Sequence, residues 1–152
     1  RYYHDMVGVN SRLDSIQAAV LEVKLKYLND YIASRQAAAR YYDAAFSGVD
    51  QLIVPAHNLK STHVFHQYTL KLKNVDRQAL QKYLESKGIP AMIYYPVPLH
   101  LQKAYQDVRY QAGDFPVAEQ LSACVLSLPM HTELDEEQLE YITSNVLDFL
   151  HK

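Results

Sequence analysis

The chain has 152 residues, of which 49% are apolar and 21% charged, and its formal net charge is −2. This composition excludes an intrinsically disordered chain, and the length suits a globular domain of ordinary size. The balanced charge gives no electrostatic reason to expect a nucleic acid or an anionic membrane as partner. No apolar run approaches the ~18 residues that a transmembrane helix needs.

The cysteine content and the N-terminus bear on location. Cys124 is the only cysteine, so no internal disulfide can form, and this fits a reducing compartment. The N-terminus has neither a signal peptide nor an initiator Met. We therefore expect a cytoplasmic protein whose chain begins within a longer sequence.

The first predicted element is one long helix from Leu13 to Phe46, which no Gly or Pro interrupts. Asn10 or Ser11 can cap its N-terminus, and Gly48 is a natural C-terminal stop. At ~1.5 Å per residue this helix would be roughly 50 Å long, which is more than a domain of this size needs. Such a helix spans two domains or packs on another chain.

The end of this helix predicts a domain boundary. We expect a signature loop and interdomain helix over 1–47 and a small C-terminal domain over 48–152. Alternation, 3–4 periodicity and capping residues predict strands over 52–55, 63–73, 91–95 and 125–128, and helices over 76–87, 114–123 and 135–150. This order predicts an α/β (α+β) fold, with a small mixed sheet and helices packed mainly on one face.

Most catalytic signatures are absent from the sequence. The four glycines form no phosphate-cradling loop or dinucleotide-binding fingerprint, and no serine lies in a Gly-x-Ser-x-Gly motif. No histidine pair has the spacing of helical metal ligands, so no metal site is predicted. His66 lies on the apolar face of the predicted strand 63–73. It is either a core histidine bonded to the backbone or a residue at the edge of a pocket.

Two segments carry polar groups in arrangements that suggest binding. In the segment 8–14, Asn10 and Arg12 precede a helix, where anions are favoured. In the segment 94–100, Tyr94 and Tyr95 precede a rigid Pro-x-Pro unit, which would hold their hydroxyls and a following imidazole in place. The alternatives are that Asn10 only caps the helix beside a solvated Arg12, and that the tyrosines pack at a sheet edge.

Five blocks in this order make the sequence recognisable. They are Gly8-x-Asn10-x-Arg12-Leu13-Asp14-x-Ile16-Gln17-Ala18-Ala19, His66-Gln67-Tyr68, Gly88-Ile89-Pro90 leading to Tyr95-Pro96-x-Pro98-Leu99-His100, Phe115-Pro116-x-Ala118-Glu119, and Leu126-Ser127-Leu128-Pro129-Met130. Together they resemble the DegT/StrS family of nucleotide-sugar aminotransferases that depend on pyridoxal phosphate. The resemblance covers nearly the whole chain.

The resemblance implies the C-terminal part of a fold-type I aminotransferase that acts on a nucleotide-linked keto-sugar, in polysaccharide or amino-sugar biosynthesis. It implies pyridoxal 5'-phosphate as cofactor, an amino-acid donor such as glutamate, and a homodimer. In the family, the Schiff-base lysine lies in a domain that precedes the first block. No catalytic residue is therefore carried over, and this chain alone is expected to be inactive.

The resemblance also implies binding roles for individual residues. Asn10 matches a residue that reaches across the dimer to the cofactor phosphate of the partner subunit. Arg12 matches a position that faces the partner's nucleotide sugar, and Tyr94, Tyr95 and His100 border the substrate pocket. The alternative function is a non-catalytic module that binds a nucleotide sugar or dimerises.

Overall fold

The computed structural model describes residues 2–151, so Arg1 and Lys152, the outer ends of the two predicted domains, lie outside the described residues. Five α-helices and three strands occur within 2–151. The helices are α1 (Ser15–Leu25), α2 (Leu28–Ala45), α3 (Arg77–Ser86), α4 (Pro116–Cys124) and α5 (Glu136–Leu150). The strands are β1 (Leu52–Ile53), β2 (Tyr68–Leu72) and β3 (Val125–Leu128).

The three strands form one sheet in the order β1-β2-β3. Both pairings are antiparallel, with Leu52 opposite Leu72 and Leu70 opposite Leu126. Next to β3, Met92 and Ser127 exchange two backbone hydrogen bonds of 2.9 and 2.7 Å. The predicted fold class, a small sheet combined with helices, is confirmed, and its two strand pairings are antiparallel rather than mixed.

The hydrophobic core joins this sheet to α2, α3 and α5. Its buried apolar residues are Ala38, Ala39, Tyr42, Phe46, Leu52, Phe65, Tyr68, Leu70, Leu72, Leu80, Leu84, Ile89, Ala91, Leu126, Leu128, Leu139, Ile142 and Val146. The two buried tyrosines keep their hydroxyls paired, as burial requires. Tyr42 donates to the carbonyl of Pro129 at 2.8 Å, and Tyr68 donates to Oδ1 of Asp43 at 2.7 Å.

The surroundings of these two hydroxyls disfavour their ionised form. Burial raises the pKa of Tyr42, and burial together with the hydrogen bond to Asp43 raises that of Tyr68. The other carboxylate oxygen of Asp43 lies 2.8 Å from Nε2 of His57. Asp43 therefore links α2 both to the central strand and to the loop that follows β1.

The prediction of one uninterrupted helix over Leu13 to Phe46 is wrong. The chain leaves the helix at Lys26, where the amide of Tyr27 bonds to the carbonyl of Lys24, only three residues back, and so tightens the turn. No Gly or Pro marks this break, so the sequence carries no signal for it. The predicted cap is also wrong, because Oδ1 of Asp14 accepts the amide of Gln17 at 2.8 Å.

Three predicted strands are shorter in the structure, and the one predicted over 52–55 forms only Leu52–Ile53. The strand predicted over 63–73 is regular only over Tyr68–Leu72, because Phe65 adopts a left-handed φ of 48°. The amide of Phe65 instead donates to Nδ1 of His63 at 2.8 Å, within a local turn. The segment 91–95 contributes only the bridge at Met92.

The remaining elements agree with the sequence. Asp76 caps α3, and Gly88 ends that region with a φ of 72°. Asp135 and Gln138 form a capping box at the start of α5. α4 begins at Pro116, although Phe115 and not Asp114 is its N-cap residue. Within 2–151, no helix combines the length and the apolar character needed to cross a membrane.

Candidate functional site

The N-terminal residues dock against the segment that contains the predicted tyrosines. The ring of Tyr2 lies edge-on to Tyr94 and Tyr95, with centroid distances of 6.0 and 6.1 Å. Gln102, which is buried, fixes this contact by donating to the carbonyl of Tyr2 at 2.8 Å and accepting the amide of His4 at 3.0 Å. Tyr94 and Tyr95 therefore belong to an aromatic cluster held by backbone hydrogen bonds.

The two tyrosines differ in exposure. Their ring centroids are 5.8 Å apart, and the peptide bond between them is cis. Tyr94 is half-buried and lines a cleft, whereas Tyr95 is 63% exposed. The structure thus brings these two predicted site residues together, with Tyr95 at the surface.

The cleft beside Tyr94 has a volume of about 360 Å³. The residues that line it come from α2, from the loop before β2, from the segment 90–94, from β3 and from the segment after β3. They are Arg35, His66, Gln67, Pro90, Met92, Tyr94, Ser127, Leu128, Pro129, Met130 and His131. His66 is exposed at this cleft, so its interpretation as a core histidine is wrong, and the alternative of a pocket edge fits.

Sequence analysis missed Arg35, which the fold makes central to the cleft. Its guanidinium donates through one nitrogen to the carbonyls of Phe65 and His66, at 3.4 and 3.2 Å. The left-handed turn at Phe65 points these carbonyls toward α2 and thereby fixes the arginine. The only sequence signal was an arginine on the polar half of a helix, a pattern that solvated residues share.

Asn10 and Arg12 lie on an exposed segment without regular secondary structure, just before α1. Among the described residues, neither side chain forms a hydrogen bond or an ion pair. No hydrogen bond, ion pair or ring contact joins them to Tyr94 or Tyr95 within 2–151. Their carboxamide and guanidinium donors face outward, as contacts to another molecule would require.

His100 is engaged within its own region. Its side chain is 8% exposed, its Nε2 lies 3.0 Å from Oε1 of Glu119, and its ring packs 4.7 Å from that of Phe115. Glu119 also accepts the amides of Gly113 and Phe115. The hydrogen bond from Gly113, followed by those from His100 and Phe115, lowers the pKa of Glu119. His100 thus helps to hold the loop 106–115, and its place at a substrate pocket stays a prediction.

The described residues fit one part of a pyridoxal phosphate site. The free carboxamide of Asn10 can donate to a phosphate oxygen, as a phosphate contact requires. All lysines among residues 2–151 are exposed, so none has the desolvated setting that activates a Schiff-base lysine. Within that part of the chain, no group of three or more His, Cys, Asp or Glu residues could hold a metal ion.

Comparison with known proteins identifies the family of this chain. Residues 1–147 match the DegT/DnrJ/EryC1/StrS aminotransferase family. The chain belongs to this family. The recognition made from the five sequence blocks is thereby confirmed.

Proteins from two bacteria resemble the chain over nearly its whole length. The chain is 41% identical over 151 residues to the "Pleiotropic regulatory protein" of Geobacillus stearothermophilus, covering 98% of this chain and 40% of that protein. It is 42% identical to the "UDP-N-acetyl-3-dehydro-alpha-D-glucosamine 3-aminotranferase" of Acidithiobacillus ferrooxidans, covering 99% and 39%. The chain therefore spans about 40% of the length of these family members.

A solved structure of the family supports the fold. The chain matches S. venezuelae DesV, crystallised in complex with a ketimine intermediate, with a TM-score of 0.87 and 32% identity. The match covers 100% of this chain and 40% of DesV. The aminotransferase fold expected from the resemblance is therefore confirmed for this part of a family member.

Proposed function

We propose that this chain is the C-terminal part of a pyridoxal-phosphate-dependent aminotransferase that acts on a nucleotide-linked keto-sugar. The observation that carries the proposal is the family match over 1–147, which includes the exposed segment with Asn10 and Arg12. Relatives named as aminotransferases of UDP-linked and dTDP-linked sugars support the substrate class. We further propose that residues 1–47 form a signature loop with two helices, of which α2 packs into the core of a small domain over 48–152.

In this proposal, the chain's residues bind and orient, while the cofactor supplies an electron sink for amino transfer. Asn10 donates its carboxamide to the cofactor phosphate in the site of the partner subunit. Arg12 grips a phosphate or ribose of the partner's nucleotide sugar, since its planar fork can form two parallel hydrogen bonds. The hydroxyls of Tyr94 and Tyr95 border the sugar, and His100 lies nearby.

The proposal includes a homodimer and an amino-acid donor, of which glutamate is the expected one. A dimer is needed because Asn10 and Arg12 act in the partner's site. The chain alone should not catalyse amino transfer, since its described lysines are all exposed. Incubation of the chain with pyridoxal phosphate, followed by borohydride reduction and mass spectrometry, should find no single lysine modified selectively. Selective modification of one lysine would contradict this expectation.

The residue roles are tested in the aminotransferase subunit that contains this chain. Asn10→Ala removes a donor to a charged phosphate, which is worth about 1.5–3 kcal/mol, so the Kd for the cofactor should rise roughly 10- to 150-fold. Arg12→Lys keeps the charge but loses the fork, so it should raise KM for the nucleotide sugar and leave the cofactor Kd unchanged.

Ser11→Ala is the matched control, because Ser11 lies between the two residues and is equally exposed. Ser11→Ala should change neither the Kd for the cofactor nor the KM for the nucleotide sugar. Excess cofactor should restore the Asn10→Ala enzyme, whereas excess nucleotide sugar should restore the Arg12→Lys enzyme. If both variants raise the same constant, the assignment of separate roles is wrong.

A further inference from the structure

We propose that Gln102 is a positioning residue, which holds the segment 8–14 in place so that Asn10 and Arg12 can reach the partner's site. This rests on the proposed function, which assigns both residues to that site. Gln102 is only 5% exposed, and the roles proposed above do not include it. A buried polar side chain that bonds to a distant part of the chain is a device for fixing that part.

The backbone of Gln102 is fixed on both sides. Gln102 lies between two short 3₁₀ helices, Leu99–Leu101 and Lys103–Tyr105. Its amide donates to the carbonyl of Leu99 at 3.1 Å, and its carbonyl accepts the amide of Tyr105 at 2.9 Å. Because both backbone groups are bonded locally, the side chain extends from a rigid base toward another part of the chain.

The side chain of Gln102 attaches the N-terminal residues to this base. Oε1 accepts the amide of His4 at 3.0 Å, and Nε2 donates to the carbonyl of Tyr2 at 2.8 Å. Nε2 also donates to the carbonyl of Val97 at 3.5 Å. A carboxamide suits this position, because it presents an acceptor and two donors, whereas a carboxylate has no donor and an ammonium group has no acceptor.

Two further contacts accompany this attachment. The carbonyl of His4 accepts the amide of Ala104 at 2.9 Å, so both backbone groups of His4 are bonded. Nζ of Lys103 lies 3.2 Å from Oδ1 of Asp5, but both side chains are largely exposed, so this ion pair contributes little. The attachment therefore depends mainly on hydrogen bonds to the backbone of the N-terminal residues.

The attachment fixes one end of the stretch that carries Asn10 and Arg12. Residues 6–13 are exposed, and no hydrogen bond or ion pair joins them to other parts of 2–151. The other end is fixed where Oδ1 of Asp14 caps α1. A loop held at both ends samples fewer conformations than a loop held at one end, so its side chains lose less entropy when they bind a ligand.

Loss of the Gln102 side chain should weaken both proposed ligand contacts at once. An apparent dissociation constant rises as the fraction of molecules in the binding-competent conformation falls. Gln102→Ala should therefore raise the cofactor Kd and the KM for the nucleotide sugar several-fold each, with the rise in Kd no larger than that caused by Asn10→Ala. Since saturating ligands restore the ordered segment, kcat at saturation should stay within about twofold of the unmodified enzyme.

A double variant of the aminotransferase that contains this chain separates positioning from a general loss of structure. Adding Gln102→Ala to Asn10→Ala should raise the cofactor Kd by less than about twofold more, because Gln102 acts on the cofactor only through Asn10. The KM for the nucleotide sugar should still rise in the double variant, because Arg12 is present.

Hydrogen–deuterium exchange of the same enzyme tests the attachment itself. In Gln102→Ala, the amides of residues 2–12 should exchange several-fold faster than in the unmodified enzyme. Gln81→Ala is the matched control, since Nε2 of Gln81 also donates to a backbone carbonyl, that of Ala91, at 2.9 Å. Gln81→Ala should change neither the exchange of residues 2–12 nor the two binding constants.

A second variant covers the case in which Gln102→Ala fails to fold by circular dichroism. His4 is exposed and lies outside every helix and strand, and His4→Pro removes the amide that donates to Gln102. It should accelerate exchange over residues 2–12 and raise both constants in the same way.

Three results would overturn the inference. The first is unchanged exchange over residues 2–12 in Gln102→Ala. The second is faster exchange with neither constant raised. The third is additivity of Gln102→Ala and Asn10→Ala in the cofactor Kd, which would indicate a general loss of structure. Failure of the proposed function is distinguishable, because Asn10→Ala and Arg12→Lys would then alter neither constant.

Discussion

The N-terminal region, residues 2–27, and the body, residues 28–151, use similar sequence patterns with opposite results. In α1, Ile16 and Val20 lie on an apolar stripe, yet no residue of this helix is buried, and Ile16 is 80% exposed. In α5, Leu139, Ile142 and Val146 repeat at the same spacing, and all three are buried. Apolar periodicity therefore predicts a helix but does not show what covers it.

The two regions differ because only the body offers other elements for its apolar faces to pack against. In the body, the sheet and three helices pack their apolar faces against one another and form the core. α1 makes none of these contacts, so its apolar stripe stays exposed within residues 2–151. A contiguous exposed apolar face of this kind marks an interaction site.

The largest expected effect comes from truncating a core leucine. Leu80→Ala in α3 removes a fully buried side chain and should lower the free energy of unfolding by about 2–5 kcal/mol. The matched change in the N-terminal region is Val20→Ala, which should alter the free energy of unfolding by no more than about 0.5 kcal/mol when the chain is diluted until it is monomeric. Denaturant titration of both variants measures the contrast. Similar losses would show that α1 is part of the cooperative core.

The second prediction concerns association. The chain should self-associate through α1, because Leu13, Ile16, Val20, Leu21 and Val23 are exposed and burying each is worth about 1.5–3 kcal/mol. A charge at the centre of this face, Val20→Glu, should raise the dissociation constant of the dimer by about tenfold or more. Sedimentation at tens of micromolar checks this, with the exposed polar position Glu22→Gln as control. A monomeric unmodified chain would refute the prediction.

The third prediction compares two helix caps with the same local geometry. Asp14 and Asp135 each accept an amide hydrogen bond of 2.8 Å from the residue three positions on. Asp135→Ala should lower the free energy of unfolding by about 0.5–2 kcal/mol, because α5 is packed in the core. In the chain diluted until it is monomeric, Asp14→Ala should reduce the helix content measured by circular dichroism and leave the unfolding midpoint unchanged. A shift of the midpoint by Asp14→Ala would contradict the separation of the two regions.

The elements that the sequence predicted well are those with a local signal. α3, α4 and α5 begin at a capping residue or a proline, and Gly88 has the left-handed φ that its position required. The errors occur where the sequence carries no local signal. The turn at Phe65 and the break before Leu28 have no glycine or proline to announce them.

The fourth and smallest effect is a pH dependence at Glu119. Its folded pKa is lowered, chiefly by the hydrogen bond from Gly113, so its contribution to stability is present above the unfolded value of about 4.3. That contribution is lost as the pH falls through the lower folded value. The difference in unfolding free energy between the unmodified chain and Glu119→Gln should therefore shrink between pH 6 and pH 3.

Glu22→Gln on α1 is the control for this series, because Glu22 is exposed and its side chain makes no hydrogen bond or ion pair with the rest of 2–151. The difference in unfolding free energy between Glu22→Gln and the unmodified chain should stay near zero at every pH. If the difference in unfolding free energy between Glu119→Gln and the unmodified chain grows on acidification, the stabilising role assigned to the Glu119 carboxylate is wrong.

In the candidate site, too, residues with a signal in the neighbouring sequence could be predicted, and residues placed only by folding could not. Tyr94 and Tyr95 could be predicted because a rigid Pro-x-Pro unit follows them directly in the sequence. Arg35 could not be predicted, because it lies 31 positions before His66 in the sequence and contacts it only in the folded chain. Asn10 and Arg12 were predicted from a family motif, and their outward position agrees with a role toward another subunit.

The most direct test of the central claim uses mixed dimers of the aminotransferase that contains this chain. One subunit carries Asn10→Ala, and the other carries Asn10 but lacks the Schiff-base lysine. If Asn10 serves the partner's site, one site of the mixed dimer has both defects and the other has none. About half of the activity of the unmodified dimer should then return. No recovery would show that Asn10 acts within its own subunit and would contradict the account.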